Sequence, residues 1–137
     1  MPIFTSSLDR RAFLTSSAAA GLALALPARA DDAWPSHPVR VIVPYPPGGS
    51  TDVLTRILMD RFKDMLGQSF VVENRGGAGG NIGIAVVSGA PGDGYTMGAA
   101  TIGHFAINQY LYKTMPFDAA KDLMPASLTW ELPNVFV

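Results

Sequence analysis

Short apolar runs alternate with one longer amphipathic stretch in the first half of the chain. The run Val39–Val43 is rich in β-branched residues and lies between two prolines, which predicts a strand buried on both faces. Residues 53–66 then place apolar side chains at helical spacing with charges on the other side, and Gly67 is a typical helix stop. Residues 70–73 predict a second strand, parallel to the first, so that the three elements form a right-handed βαβ unit.

The same order of strand, glycine-rich loop and helix recurs further along the chain. A short apolar helix is predicted over residues 82–88 with Asn81 as its cap, and a third strand over residues 95–100. Beyond this strand, residues 106–112 favour a short helix, and residues 128–130 and 135–137 favour strand segments. The alternation predicts an α/β fold with a mainly parallel sheet built from βαβ units.

The N-terminus has the pattern of an export signal rather than of a folded segment. An arginine pair, an apolar run over residues 18–26 and a small-x-small cleavage pattern ending at Ala30 follow one another. The segment around the arginine pair resembles a twin-arginine signal, with the general secretory route as the alternative. We therefore expect residues 1–30 to be a cleaved signal peptide and residues 31–137 to be the mature chain.

Composition then narrows the classes of function. With 48% hydrophobic and 15% charged residues the chain resembles a folded domain rather than a disordered segment. Its formal net charge of −1 offers no clustered basic surface for a nucleic acid. The chain has no cysteine, which excludes a disulfide framework, a thiolate metal site and a cysteine nucleophile.

Two glycine-rich loops follow the first two predicted strands, each directly before a helix that Ser50 or Thr51, and Asn81, are expected to cap. Because parallel strands end at the same edge of a sheet, the loops should lie side by side with two helix N-termini. Helix N-termini and the N–H groups that glycine leaves uncovered attract anions, so we predict a site for a small carboxylate. The candidate ligand-binding residues are Pro47, Gly48, Gly49, Ser50, Thr51, Asp52, Gly77, Ala78, Gly79, Gly80, Asn81 and, after the third strand, Thr101.

Other chemistries fit the sequence less well, although either loop taken alone is more often a tight connection than a site. Neither loop ends in the Gly-Lys-Ser/Thr of a phosphate loop, and Ile82 stands where a dinucleotide fingerprint needs its third glycine. Asp52 replaces the second glycine of a nucleophile elbow and is expected to stabilise the first helical turn instead. The two histidines, His37 and His104, are too few for a metal site, and we expect His104 in a loop near the mouth of the site and Tyr45 in packing.

Three longer motifs resemble the Bug family of tripartite tricarboxylate transporter substrate-binding proteins. They are VRVIVPYPPGGSTD at residues 39–52, VVENRGGAGGNIG at residues 71–83 and DGYT at residues 93–96, and the resemblance covers nearly the whole chain after the signal. It implies that residues 31–137 are a truncated N-terminal α/β ligand-binding lobe of a periplasmic binding protein type II-like (flytrap) fold. Family members are about twice as long or longer, as two domains require, so the second lobe is largely missing here. The segment HFAINQ at residues 104–109 departs from the family pattern.

The resemblance also implies a function. In the family, the loops that match residues 46–52 and 77–82 hold a ligand carboxylate like a pincer. Ligands are di- or tricarboxylates, acidic amino acids or aromatic acids, and the partners are inner-membrane permease subunits or, in some cases, a sensor kinase. We therefore predict a monomeric, periplasmic solute-binding protein that is not an enzyme and has no cofactor, no metal and no nucleic-acid partner. The alternatives are a truncated, non-functional remnant and an enzyme that binds a phosphorylated substrate at its glycine-rich loops.

Overall fold

The structure, a computed structural model, describes residues 33–131. Its elements in chain order are β1 (Val39–Val43), α1 (Ser50–Leu66), β2 (Phe70–Asn74), a 3₁₀ turn (Ala78–Gly80), α2 (Asn81–Ser88), β3 (Thr96–Gly98), a π-helical turn (Gly103–Ile107), α3 (Asn108–Leu111) and α4 (Ala119–Asp122). The expected signal peptide over residues 1–30 and strand segment over residues 135–137 lie outside the described residues. Within residues 33–131, no helix has the length and apolar character needed to cross a membrane.

The three strands form one parallel sheet in the order β2-β1-β3. Val41 of the central strand pairs with Val72 of β2 on one side and with Met97 of β3 on the other. The first two strands match their predicted positions to within one residue, whereas β3 covers only Thr96–Gly98 of the strand predicted over residues 95–100. The predicted α/β fold with a parallel sheet is therefore confirmed.

The two longer helices cover opposite faces of this sheet. Val41 shares a core cluster with Met59 of α1. Side chains alternate along a strand, so Ile42 points to the other face, where its β3 partner Gly98 lies close to Ile84 of α2. The chain thus runs from β1 outward to β2 and then crosses to β3 on the other side of β1. Such an order creates a topological switch point between β1 and β3, at the carboxyl ends of the strands.

The buried face of α1 differs from the apolar face that its sequence pattern predicts. The buried residues are Asp52, Thr55 and Met59, whereas Val53 and Ile57 are exposed. Asp52 turns inward because its carboxylate is hydrogen-bonded to the loop before the helix. Thr55 can be buried because its hydroxyl donates to the carbonyl of the preceding turn at 2.6 Å. Local hydrogen bonds thus outweigh part of the hydrophobic pattern.

The C-terminal end of α1 is as predicted. Gly67 has a left-handed φ of +70°, which glycine adopts at little cost, and its N–H donates to the carbonyl of Lys63 at 2.9 Å. This cap stops the helix three residues before β2 and returns the chain to the sheet.

Residues 99–131 are less regular than the sheet and its two helices. The π-helical turn and α3 overlap the helix predicted over residues 106–112, so that prediction is confirmed in part. Residues 128–130 form no strand, and that prediction is wrong. An apolar run becomes a strand only where a neighbouring strand accepts its hydrogen bonds, and Leu128 is exposed with no strand of the described chain beside it.

Candidate functional site

Three loops meet at the edge of the sheet where the strands end. The first loop (residues 44–49) joins β1 to α1, the second loop (residues 75–80) joins β2 to α2, and the third loop (residues 99–102) follows β3. The side chain of Asn74, at the end of β2, donates to the carbonyl of Tyr45 in the first loop at 3.1 Å. The structure therefore brings both glycine-rich loops and the third loop to one edge.

The first loop is held by the carboxylate of Asp52. Its two oxygens accept hydrogen bonds from the backbone N–H of Gly48 at 2.8 Å, from Arg56 Nε at 3.0 Å and from Asn74 Nδ2 at 2.9 Å. The hydrogen bond from Arg56, then those from Gly48 and Asn74, lower the Asp52 pKa from 3.8 to about 2. Asp52 is only 3% exposed. Its carboxylate therefore anchors the loop and is not presented to a ligand.

The first helix begins without a side-chain cap. Gly49 is the N-cap residue in an extended conformation, and no side chain accepts a hydrogen bond there. The prediction that Ser50 or Thr51 caps α1 is wrong, because both already lie inside its first turn. Their N–H groups belong to the first turn, where an α-helix has no acceptor of its own. The N-terminus of α1 thus presents its partial positive charge at the sheet edge.

The second loop is a left-handed turn. Gly77, Ala78, Gly79 and Gly80 all have positive φ, at +120°, +49°, +64° and +92°. The N–H of Gly80 donates to the carbonyl of Gly77 at 2.9 Å, which closes a turn of type I′ around the two central residues. In the described chain the backbone N–H groups of Ala78 and Gly79 donate no hydrogen bond. Ala78 is an alanine in a conformation that favours glycine, and its backbone is strained.

Asn81 does not cap α2, so this prediction is also wrong. The N-cap residue is Gly80, again with no side-chain hydrogen bond. Asn81 is buried, its Oδ1 accepts from Asn108 Nδ2 at 2.6 Å and its own amide donates to Met115 Sδ at 3.4 Å. The Asn81 side chain thus ties α2 to α3 and does not point a donor at the sheet edge. Both helices therefore start with a glycine that receives no side-chain cap, but the first N–H groups of α2 are already bonded within the second loop, those of Gly80 and Ile82 to the carbonyl of Gly77 and that of Asn81 to the carbonyl of Ala78.

Two glycines of the second loop make room for side chains of this chain itself. A Cβ atom at Gly79 would lie 2.7 Å from the hydroxyl oxygen of Tyr112, and one at Gly80 would lie 2.3 Å from His104 Nε2. The α-carbons of Gly79 and Gly80 face Tyr112 and His104, so their missing side chains make room for this chain itself. The sequence prediction that glycine leaves backbone N–H groups uncovered for a ligand concerns the other side of the turn.

The third loop is connected to the first through a chain of polar side chains. The hydroxyl of Tyr45 lies 2.9 Å from Thr101 Oγ1, and the backbone N–H of Thr101 donates to His104 Nδ1 at 3.0 Å. His104 is 2% exposed and lies in the π-helical turn, so the prediction of a loop position at the mouth of the site is wrong. Burial lowers the pKa of His104, and its buried Nε2 has no hydrogen-bond partner in the described chain.

The predicted site residues divide into three groups by exposure. At the open edge lie Pro47, Gly48, Gly49, Ser50, Gly77, Ala78 and Gly79; half-buried are Thr51 and Thr101; buried are Asp52, Gly80 and Asn81. Sequence reasoning missed Asn74 and Asn108, which hold the first and second loops. A polar residue directly after an apolar strand, as at Asn74, is a signal that could have revealed the first of them.

The possible metal ligands within residues 33–131 are not clustered. No group of three or more histidine and carboxylate side chains within residues 33–131 could hold a metal ion. His37 stacks on Tyr95 with ring centroids 3.6 Å apart, whereas His104 lies beside Tyr45 at the sheet edge. A shallow cavity of about 210 Å³ lies elsewhere, between α1 and β2, and is lined by Arg56, Met59, Asp60, Phe70 and Val72. It does not open onto the three loops.

A three-stranded parallel sheet with helices on both faces is an open α/β architecture, a class in which ligands bind at the carboxyl ends of the strands. The family model described as "Tripartite tricarboxylate transporter family receptor" matches residues 54–137. The chain belongs to this family, a family of solute-binding proteins.

Curated relatives extend the match toward the N-terminus. Protein BugT of Bordetella pertussis is 40% identical over 121 residues, which cover 88% of this chain and 36% of the relative. A protein of the UPF0065 group from Pseudomonas sp. strain P51 is 36% identical over 132 residues, which cover 96% of this chain and 39% of the relative. The chain therefore spans somewhat more than a third of the length of these relatives.

Solved structures confirm the fold. A structure titled as a periplasmic transporter superposes with a TM-score of 0.61 at 48% identity and covers 63% of this chain and 29% of that one. A protein of R. palustris, solved with adipate, superposes with a TM-score of 0.62 at 44% identity over 64% of this chain and 29% of that one. The fold described above is therefore the N-terminal portion of a periplasmic binding protein.

Proposed function

We propose that this chain is the N-terminal lobe of a periplasmic receptor that captures a small carboxylate at the edge formed by the three loops. The observation that carries the proposal is the N-terminus of α1, whose N-cap Gly49 receives no side-chain hydrogen bond, beside the N–H groups of Ala78 and Gly79, which donate no hydrogen bond in the described chain. A carboxylate bound at this edge would accept hydrogen bonds from these N–H groups, which have no other acceptor. The related R. palustris protein was solved with a dicarboxylate, adipate.

The charges around the edge favour reversible binding. Arg56 is engaged by Asp52, and Arg75 lies 3.3 Å from Glu73, which also binds Arg40. The arginines near the loops are thus paired with carboxylates of the chain itself. Attraction of the ligand then comes from helix ends and backbone donors, which are weaker than a free guanidinium and allow release. A transport receptor has to release its ligand.

The proposal extends to location and partners. We propose that residues 1–30 direct export, through the twin-arginine or the general secretory route, and that the lobe works in the periplasm as a monomer without chemical conversion of its ligand. The site residues are those of the three loops, with Ser50, Thr51, Ala78 and Gly79 as the principal backbone donors. The ligand would pass to the permease subunits of a tripartite tricarboxylate transporter, and a second lobe would supply the other side of the cleft.

The proposal is tested by thermal unfolding of the 137-residue chain with and without a panel of carboxylates, including adipate, malate, citrate and benzoate. A ligand present at about 100 times its dissociation constant stabilises the folded protein by roughly 2.7 kcal/mol, which raises the midpoint of unfolding. The matched control is adipamide, which has the length of adipate but no charge. A midpoint that rises with a carboxylate and not with the diamide supports the proposal; a midpoint unchanged by the whole panel contradicts it for this chain.

A further inference from the structure

Tyr45, Thr101 and His104 form a hydrogen-bonded chain across the topological switch point. Tyr45 lies two residues after the last residue of β1, and Thr101 lies three residues after the last residue of β3. Their hydroxyl oxygens are 2.9 Å apart. This contact therefore joins the two loops between which an open α/β sheet forms its ligand crevice.

The proton positions in this chain follow from one backbone donor. The N–H of Thr101 points at His104 Nδ1 at 3.0 Å, so Nδ1 must carry a lone pair and the ring is neutral with its proton on Nε2. A neutral imidazole has a single in-plane lone pair at Nδ1. The Thr101 hydroxyl lies 3.2 Å from the same atom, farther than the backbone N–H at 3.0 Å, which takes the better part of this lone pair.

The Thr101 hydroxyl is then available to donate to the oxygen of Tyr45. A phenolic O–H lies near the plane of its ring and has two positions, one toward Thr101 and one away from it. When Thr101 donates, the Tyr45 proton takes the position that points away from Thr101. Tyr45 is half-buried and is followed by the exposed residues of the first loop, so an O–H turned away from Thr101 is free to donate to a ligand at that edge.

We propose that the Tyr45 hydroxyl donates a hydrogen bond to the ligand carboxylate at the switch point, and that Thr101 and His104 are positioning residues that orient this hydroxyl. The inference rests on the proposed function, because it requires a carboxylate at the edge. It adds a side-chain donor, Tyr45, to a site otherwise made of backbone donors. It also changes the predicted role of Thr101, which acts through Tyr45 rather than by its own contact with the ligand.

The first test compares Tyr45→Phe with the 137-residue chain by titration calorimetry with adipate. The substitution removes one oxygen atom and keeps the ring. Since a hydrogen bond to a charged group contributes more than one between neutral groups, the dissociation constant should rise about tenfold or more. The matched control is Tyr110→Phe, which removes a hydroxyl from a ring that is 82% exposed on α3. Its dissociation constant should equal that of the unsubstituted chain.

The positioning role is tested at Thr101. Thr101→Val keeps the shape but removes the hydroxyl that orients Tyr45, so adipate should bind several-fold more weakly. Thr101→Ser keeps the hydroxyl and should restore the original dissociation constant, which a purely structural role of the Thr101 methyl group would not explain. The unfolding midpoint of each variant, measured without ligand, separates loss of binding from loss of folded protein.

The possible outcomes separate the two proposals. If the unsubstituted chain binds adipate and Tyr45→Phe binds it equally well, the role of Tyr45 is overturned and the proposed function stands. If Thr101→Ser is as weak as Thr101→Val, the positioning role of the hydroxyl is overturned. If the unsubstituted chain does not bind adipate, the proposed function fails for this ligand and the assignment of Tyr45 falls with it.

Discussion

The two glycine-rich loops at the sheet edge are similar in sequence but are held by different forces. The first loop depends on charge, since the Asp52 carboxylate gathers one backbone N–H and two side-chain donors. The second loop depends on shape, since its left-handed turn leaves room at Gly80 for the buried ring of His104. The glycines of the two loops therefore have different roles. Gly48 allows a positive φ, whereas Gly80 has a positive φ and also allows the His104 ring to approach the backbone closely.

The largest expected effect of a single substitution is at Gly80. Gly80→Ala forces a side chain into φ +92° and places Cβ 2.3 Å from His104 Nε2 and 3.1 Å from Pro44 Cβ. Backbone strain and overpacking together should lower the free energy of unfolding by about 2–5 kcal/mol. Denaturation in urea measures the change. A loss below about 1 kcal/mol would mean that the second loop is not held by close packing.

A smaller effect is expected in the first loop at Gly48, where backbone strain acts alone. Gly48 has φ +86°, and a Cβ atom added there meets no atom within 4 Å. Gly48→Ala should therefore destabilise the chain by about 1–2 kcal/mol, the usual cost of a left-handed alanine. Gly67→Ala, at φ +70° and also in open space, is the matched control. If Gly48→Ala costs as much as Gly80→Ala, the contrast between the loops is wrong.

The charge that holds the first loop predicts a dependence on pH. The Asp52 pKa is lowered to about 2, so its stabilising contribution is complete above its ordinary value of 3.8 and is lost as the pH falls toward 2. Asp52→Asn lacks this contribution at every pH, because the carboxamide places an N–H₂ group among three donors. The difference in unfolding free energy between the two proteins should be largest near neutral pH and should shrink below pH 3.8.

The Asp52 measurement has an internal and an external control. Glu73, whose pKa Arg40 and then Arg75 lower to about 2, titrates over the same range in both proteins and cancels in the difference. Asp64→Asn makes the same substitution at an exposed carboxylate of the same helix that has no ion pair in the described chain, and it should change the unfolding free energy at neutral pH by less than about 0.5 kcal/mol. A difference that stays constant down to pH 2 would show that Asp52 does not anchor the loop by charge.

The smallest expected effect is a gain in stability at Ala78. Its φ of +49° is unfavourable for alanine, and Ala78→Gly removes that strain at the cost of a more flexible unfolded chain. The relief of strain exceeds the entropic cost, so the free energy of unfolding of Ala78→Gly should be higher by roughly 0.5–1 kcal/mol. Chemical denaturation of the two proteins side by side checks the sign. A less stable variant would mean that the Ala78 methyl group makes contacts that outweigh the strain of the turn.

The sequence predicted the sheet well because its signals are local. A proline lies on each side of β1, which consists of an apolar run, and Gly67 ends α1. The residues that start or end these elements are therefore close to them in the sequence. Gly83 illustrates a weaker signal, a glycine inside a helix. In the structure a Cβ atom there would lie 2.4 Å from the carbonyl oxygen of Arg75. Glycine at position 83 lowers the intrinsic stability of α2, but it is the residue that allows α2 to pack closely on the second loop.

The site was predicted less completely because its contacts are distant in sequence. The capping of α1 and α2 depends on the hydrogen bonds that the side chains of Asp52 and Asn81 make elsewhere. The partner of Asn81 is Asn108, which lies 27 residues away in the sequence. The burial of His104 likewise depends on a partner loop that no local pattern identifies. A sequence motif can therefore locate a loop at the sheet edge, but the hydrogen bonds between loops decide which groups remain free for a ligand.

The proposed binding of a carboxylate to the backbone donors at the three-loop edge can be tested residue by residue, by titration of the ¹⁵N-labelled chain with adipate followed by amide NMR. The largest shifts should belong to the N–H groups of Ser50, Thr51, Ala78 and Gly79. No shift at all, or shifts centred instead on Arg56 and Phe70 in the cavity between α1 and β2, would contradict it.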